Sequence, residues 1–125
     1  MMSELKKYDP DLENNLIVKL TFEFAISIVK YSELLEAKRK FAIANQVIRS
    51  GTSVGANVRE AQNAESKADF IHKMKISAKE ADETEYWLLI CKHTESYPHS
   101  EELLEKILVI KKILSKIISS SKNHH

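Results

Sequence analysis

The sequence predicts an all-α fold, an antiparallel up-down-up-down four-helix bundle. Three observations predict it. Two glycines and two prolines in 125 residues leave little material for turns, which favours few, long elements. Apolar residues recur three and four apart through four stretches, the period of a helix face. The links between those stretches are short, so successive helices run antiparallel. With 43% hydrophobic and 30% charged residues, the chain is globular, and its length suits one domain around one core.

Residues 1–10 are expected to form a flexible N-terminal arm, 11–119 the bundle, and 120–125 a frayed C-terminus. His124 and His125 read equally as a native end or a tag. Asp9-Pro10-Asp11 is a helix-start signal, with proline in the first turn and acids around it. The first helix is expected over 11–36. Leu16, Leu20, Phe24, Ile28, Tyr31 and Leu35 make one apolar stripe. Phe22, Ala25, Ile26 and Val29 make a second beside it, which implies burial on more than one side, in a bundle or at a subunit contact. Lys38-Arg39-Lys40 reads as a solvated turn.

The second helix begins near residue 40. Phe41, Ala44, Val47, Ile48, Gly51, Val54, Gly55 and Val58 keep the helical period through residues 49–60, which hold both glycines and two of the three arginines. Propensity opposes a helix there, since each glycine costs about 1 kcal/mol relative to alanine. Gly51 and Gly55 share a face, and with Ser50, Ser53 and Ala56 they offer a surface that another backbone can approach closely.

Residues 61–67 are polar and break the pattern. Ser66 reads as an N-cap, with Asp69 three residues on completing a capping-box-like pair. A third helix is expected over 67–95, its seam Phe70, Met74, Ser77, Ala81, Thr84, Leu88 and Cys91 unusually polar in the middle. Tyr97-Pro98 ends it. Ser100 followed by Glu101 and Glu102 starts the fourth helix with acids at its positive end. Leu103, Ile107, Ile110, Leu114 and Ile117 form its seam, flanked by Leu104, Leu108 and Ile118.

Composition excludes several functions. Nineteen basic against 18 acidic residues give a net charge of +1, which is no basic footprint over the whole chain. Cys91 is the only cysteine, so no intrachain disulfide forms, in keeping with a reducing cytoplasm. No apolar run approaches the roughly 18 residues of a membrane span, so no membrane partner is expected. Gly51 to Gly55 is not a phosphate loop, because Ala56 and Asn57 replace its Lys-Ser/Thr end. A di-metal site in a bundle needs Glu-x-x-His on two helices. Only Asp69-x-x-His72 comes near. Ser50 and Ser53 have no histidine nearby in sequence and read as small packing residues. No catalytic residue, metal or cofactor is expected.

The residues that invite a role are Arg49, Asn57, Glu60, Lys75, Lys79, Glu80, Glu83, Tyr86 and Trp87. If the second and third helices pack, Arg49 or Arg59 can meet Glu80 or Glu83. Such a network fixes helix register or presents a polar surface to RNA phosphate or a neighbouring subunit. Tyr86 and Trp87 suit either an interface or the core. Lys67, Lys73, Lys75 and Lys79 are candidate nucleic-acid contacts. Lys106, Lys111, Lys112 and Lys116 read as a solvated face.

The run Gln46-x-x-Arg49-Ser50-Gly51-Thr52-Ser53-Val54-Gly55-Ala56-Asn57-Val58-Arg59-Glu60-Ala61, with Ser66-Lys67-x-Asp69-Phe70-x-x-Lys73-Met74 and Lys79-Glu80-x-x-Glu83-Thr84-x-Tyr86-Trp87-Leu88 after it, resembles a bacterial four-helix-bundle family. Its founding members are encoded in intervening sequences of 23S ribosomal RNA genes. The resemblance runs from about Leu16 to Ile118. It implies a closed antiparallel bundle with the glycine stretch inside the second helix, assembled as a homopentamer. The family also looks like the accessory protein of diversity-generating retroelements, a pentameric barrel that binds a reverse transcriptase and nucleic acid. By this resemblance Arg49, Asn57, Glu60, Lys79, Glu80, Glu83, Tyr86 and Trp87 are structural or interfacial, and no catalytic residue is implied. The expectation is a non-enzymatic, homo-oligomeric adaptor associated with RNA or a nucleic-acid-processing protein. The alternative is a protein-only scaffolding module.

Overall fold

The computed structural model describes residues 10–123. The expected arm up to residue 9, and residues 124 and 125, lie outside them. Four helices follow in order: α1 Pro10–Ala37, α2 Phe41–Ala61, α3 Lys67–His93 and α4 Glu101–Asn123. Each packs on the next and α4 closes on α1, while the backbones of the diagonal pairs stay farther apart. This is the antiparallel up-down-up-down bundle. Helix α4 continues to Asn123, beyond the expected end at 119, and α3 stops at His93 rather than at 95.

The links are held by specific bonds. Arg39 takes a positive φ of 64°, and the Lys40 N–H donates to the Leu35 carbonyl at 2.8 Å. This αL cap normally carries glycine. Ser66 Oγ accepts from the Asp69 N–H at 3.0 Å. The reciprocal bond is shifted by one residue, since Asp69 Oδ2 accepts from the Glu65 N–H at 3.2 Å. Ser100 departs from its expected role. Its carbonyl starts α4, but its hydroxyl donates to the Leu88 carbonyl of α3 at 2.9 Å. The Tyr31 hydroxyl donates to the Pro98 carbonyl at 2.7 Å, tying α1 to the α3–α4 link. Burial holds that phenol far above its ordinary pKa, with Cys91 beside it adding to the shift, so it remains a donor.

Helix α1 buries Ile17, Phe24, Ile28, Tyr31 and Leu35. Leu16, expected in this stripe, is exposed, and Ile17 takes its place. Phe41, expected to be buried in α2, is 51% exposed. Helix α3 buries Met74, Ser77, Ala81, Thr84, Leu88 and Cys91, and α4 buries all five seam residues. The polar seam is satisfied by carbonyls. Ser77 Oγ donates across to the Val54 carbonyl of α2 at 2.7 Å. Thr84 donates back to Glu80 at 2.8 Å and Ser50 to Gln46 at 2.9 Å. Such back-bonding lets small polar residues sit in a helical core.

The glycines set the α1–α2 distance. A Cβ on Gly51 would stand 2.7 Å from Ile28 Cγ2 and 2.8 Å from its Cγ1. A Cβ on Gly55 would stand 3.1 Å from the Thr21 carbonyl oxygen. At Gly51 the obstacle is a branched side chain fixed at χ1; at Gly55 it is backbone.

Gly51→Ala is therefore expected to destabilise the bundle by about 1–2 kcal/mol, the overpacking strain outweighing the gain in helix propensity. In an Ile28→Ala background the same change becomes neutral or stabilising. A double-mutant cycle by urea unfolding checks this, and equal losses in both backgrounds would refute the contact. Arg39→Gly is expected to stabilise by about 1 kcal/mol by removing αL strain, read as an increase in the urea midpoint at unchanged slope.

Candidate functional site

Helices α2 and α3 bring much of the selected cluster together along one groove. Arg49 sits one turn before Ser53 on α2 and faces α3. Its guanidinium contacts Glu80 Oε1 at 3.3 Å and also pairs with Glu83 Oε2. The same Glu83 oxygen accepts from Trp87 Nε1 at 3.2 Å. Three and four residues separate Glu80, Glu83 and Trp87, so all lie on the α2 side of α3. Further along, Lys73 Nζ meets Glu60 Oε1 at 3.0 Å, and Glu60 first of all holds the Lys73 ammonium above its ordinary pKa. The Ser77–Val54 bond lies beneath. Arg49 and Glu60 are substantially exposed, so solvent screens both pairs and neither contributes much stability by itself. The cluster is a register lock with one aromatic edge.

Other selected residues stand apart from it. Asn57 Nδ2 donates to the Ser53 carbonyl of its own helix at 2.8 Å. Arg59 does not reach Glu80 or Glu83. Its guanidinium lies 5.6 Å from the Phe22 ring centre. Tyr86 is 59% exposed and packs edge-on against Trp87 at 5.4 Å between centroids. His72, Lys79 and Tyr86 recur every seven residues on the exposed face of α3. The lysines proposed as one contact set do not converge. Lys73 is taken by Glu60, Lys75 turns toward Lys122 of α4, and Lys67 and Lys79 are exposed.

Two features escaped sequence reasoning. Lys111, read as part of a solvated face, bridges Glu85 at 2.7 Å and Asp82 at 2.9 Å across α3 and α4. Both acids hold its ammonium above the ordinary lysine value, Glu85 more than Asp82. The three-residue spacing of Asp82 and Glu85 was the available signal. Lys122 lay in the segment expected to fray. Cys91 is a buried thiol whose pKa burial pushes up, which disfavours its reactive thiolate form. Among the described residues no three potential metal ligands gather, and no helix is long and apolar enough to cross a membrane.

Glu83→Ala is expected to cost about 1 kcal/mol, by removing the partner of Arg49 and of the Trp87 indole, and to change Trp87 fluorescence. An unchanged unfolding midpoint together with unchanged emission would refute the lock.

A crystal structure of a protein of unknown function from the S23 ribosomal protein family of Bacteroides thetaiotaomicron is similar to this chain. It is 42% identical, with a TM-score of 0.80 over 86% of this chain and 98% of that one. No curated protein matches. The sequence description of the 23S rRNA-intervening sequence proteins matches residues 13–116. The motif through Arg49, Gly51 and Gly55 and the α2–α3 lock built on it thus lie within the matched region, and the chain belongs to the 23S rRNA-intervening sequence protein family.

Proposed function

We propose that this chain is a non-enzymatic, cytoplasmic, homo-oligomeric bundle that serves as an adaptor associated with RNA or a ribonucleoprotein. One observation carries the assembly. Helix α1 is apolar on two outward sides. Phe22 lies toward α2, and Ile26 and Val29 follow it on the outer surface of α1; the three are 55%, 44% and 38% exposed. Phe22 lines a cleft of about 190 Å³ together with Val18, Ala25, Gly55 and Arg59. On the α4 side lie Leu34 of α1, 55% exposed, and Val109 of α4, 52% exposed; Val109 lines a cleft of about 170 Å³ between Leu20 and Ile110, and Leu34 a second one beside Tyr31 and Leu103. Two different apolar faces on one protomer suit a heterologous contact, one face of one copy against the other face of the next. Such contacts close into rings when the rotation permits. A ring of five is the size that the resemblance implies.

The family's name supports the RNA half, and so does the exposed face of α3. Lys79 and Tyr86 stand there on one line, a cation and a π-face of the kind that single strands stack on. The net charge of +1 limits each protomer to few phosphate contacts, and repetition around a ring would multiply them. A protein-only scaffold is the second reading, favoured by the exposed Tyr86 beside the half-buried Trp87.

Light scattering should give five times the 14.3 kDa chain mass, and Phe22→Glu should reduce it to one while helical circular dichroism persists. A monomeric wild type would overturn the assembly. A tagged pull-down should recover RNA whose binding weakens as salt rises and with Tyr86→Ala. Recovery of a protein partner regardless of nuclease treatment, without RNA, would favour the scaffold.

A further inference from the structure

The two clefts beside α1 differ in charge. The one of about 190 Å³ between α1 and α2 is lined mainly by small residues, among them Ala25, Thr52, Gly55 and Ala56, together with the exposed side chains of Phe22 and Arg59. The Arg59 guanidinium lies over the Phe22 ring, 5.6 Å from its centre. It meets no carboxylate among the described residues. Of the exposed aromatic rings described, Phe22, Phe41 and Tyr86, only Phe22 carries a cation on its face. The cleft of about 170 Å³ between α1 and α4 is lined by the apolar Leu20, Phe24, Val109 and Ile110, with Glu23 and Lys106 as its charged residues. Lys106 is engaged by Glu102 of its own helix at 3.4 Å. Glu23 has no cationic partner among the described residues. Phe22 and Glu23 are neighbours in sequence, but successive side chains point about 100° apart around a helix. They therefore serve different clefts, and Arg59 does not pair with Glu23 within one protomer.

An exposed ring gains by entering an apolar cleft. The Phe22 ring cannot do so alone, because the Arg59 guanidinium goes with it. A cation taken out of water costs free energy unless a carboxylate meets it. The α1–α4 cleft supplies an apolar lining and one uncompensated carboxylate in the same place. We propose that Phe22 of one copy enters the α1–α4 cleft of the next, and that Arg59 of the first copy pairs there with Glu23 of the second. The pair rests on the head-to-tail assembly proposed above and adds what sets its polarity. Contacts between like faces place Arg59 against Arg59 or Glu23 against Glu23, and like charges brought together are penalised. Each copy gives its cation to one neighbour and its carboxylate to the other, so the contact repeats around a closed ring.

Charge exchange tests the pair, with the mass of the full chain followed by sedimentation over a concentration series at low ionic strength. Arg59→Glu and Glu23→Arg should each raise the concentration needed for assembly by about tenfold or more, with helical circular dichroism unchanged. Lys79→Glu, the same charge reversal on α3, should leave it as it was. Equal amounts of the Arg59→Glu and Glu23→Arg proteins should assemble together where neither does alone, and a chain carrying both substitutions should assemble by itself. A wild type that assembles while both single variants assemble equally well, or variants that do not recover on mixing, would overturn the pair and leave the assembly standing. An equal loss with Lys79→Glu would overturn it too. A wild type that stays monomeric would remove the assembly and the pair together.

Discussion

The close approach of α1 to α2 at Gly51 and Gly55 is the constraint on which the rest of the bundle depends. Helix α2 lacks side chains where it crosses Ile28 and the Thr21 carbonyl. Each glycine costs about 1 kcal/mol of helix propensity, and the close packing of α1 offsets it. The opposite flank of the same segment is equally compact. Ser77 of α3 reaches the Val54 carbonyl, which only a small side chain can do at that depth. Residues 49–60 therefore hold α2 tightly against both neighbours, and α3 and α4 are placed by what that leaves.

The helices are joined by different means. Ion pairs tie α2 to α3 through Arg49 and Lys73, and α3 to α4 through Lys111. Helix α1 is seated by apolar packing, by Ser32 donating to the Ala44 carbonyl at 3.4 Å, and by Tyr31 bonded to Pro98. The Tyr31 bond also fixes the link between α3 and α4, so one phenol couples both ends of the chain's order. The ion pairs are exposed and worth little singly. Their contribution is register, because a shift of one turn would leave Glu80 and Glu83 without Arg49.

The fold was legible because its signals are local and periodic. The α3 seam from Met74 to Cys91 and the α4 seam from Leu103 to Ile117 could be read from spacing alone. Propensity argued against a helix at Gly51 and Gly55, and the reason it fails there is a contact with Ile28, twenty-three residues earlier in the chain. Leu16 against Ile17 could not be decided, since adjacent apolar residues differ by only 100° around a helix. Pairings across helices were less legible. Arg49 with Glu80 and Glu83 followed from the assumption that α2 packs on α3. The Lys73–Glu60 pair, the Lys111 bridge and the Lys75–Lys122 contact depend on rotation of each helix about its axis, which lysine spacing does not encode. Ser100 looked like a cap by position, but its hydroxyl serves α3.

What the core leaves outside is as ordered as what it contains. Phe22, Ile26 and Val29 were read as a second buried stripe, and a single protomer leaves them open. Phe22 lies on the α2 side of α1, while Leu34 and Val109 lie on the α4 side, so the proposed self-association would pair unlike surfaces. Cysteine cross-linking tests this most directly: protein carrying Phe22→Cys is mixed with protein carrying Val109→Cys under mild oxidation, the native Cys91 being buried. The account predicts that disulfides join 22 to 109 between copies and that a chain with both substitutions closes into covalent rings. Cross-links only between like positions, or none at all, would contradict it.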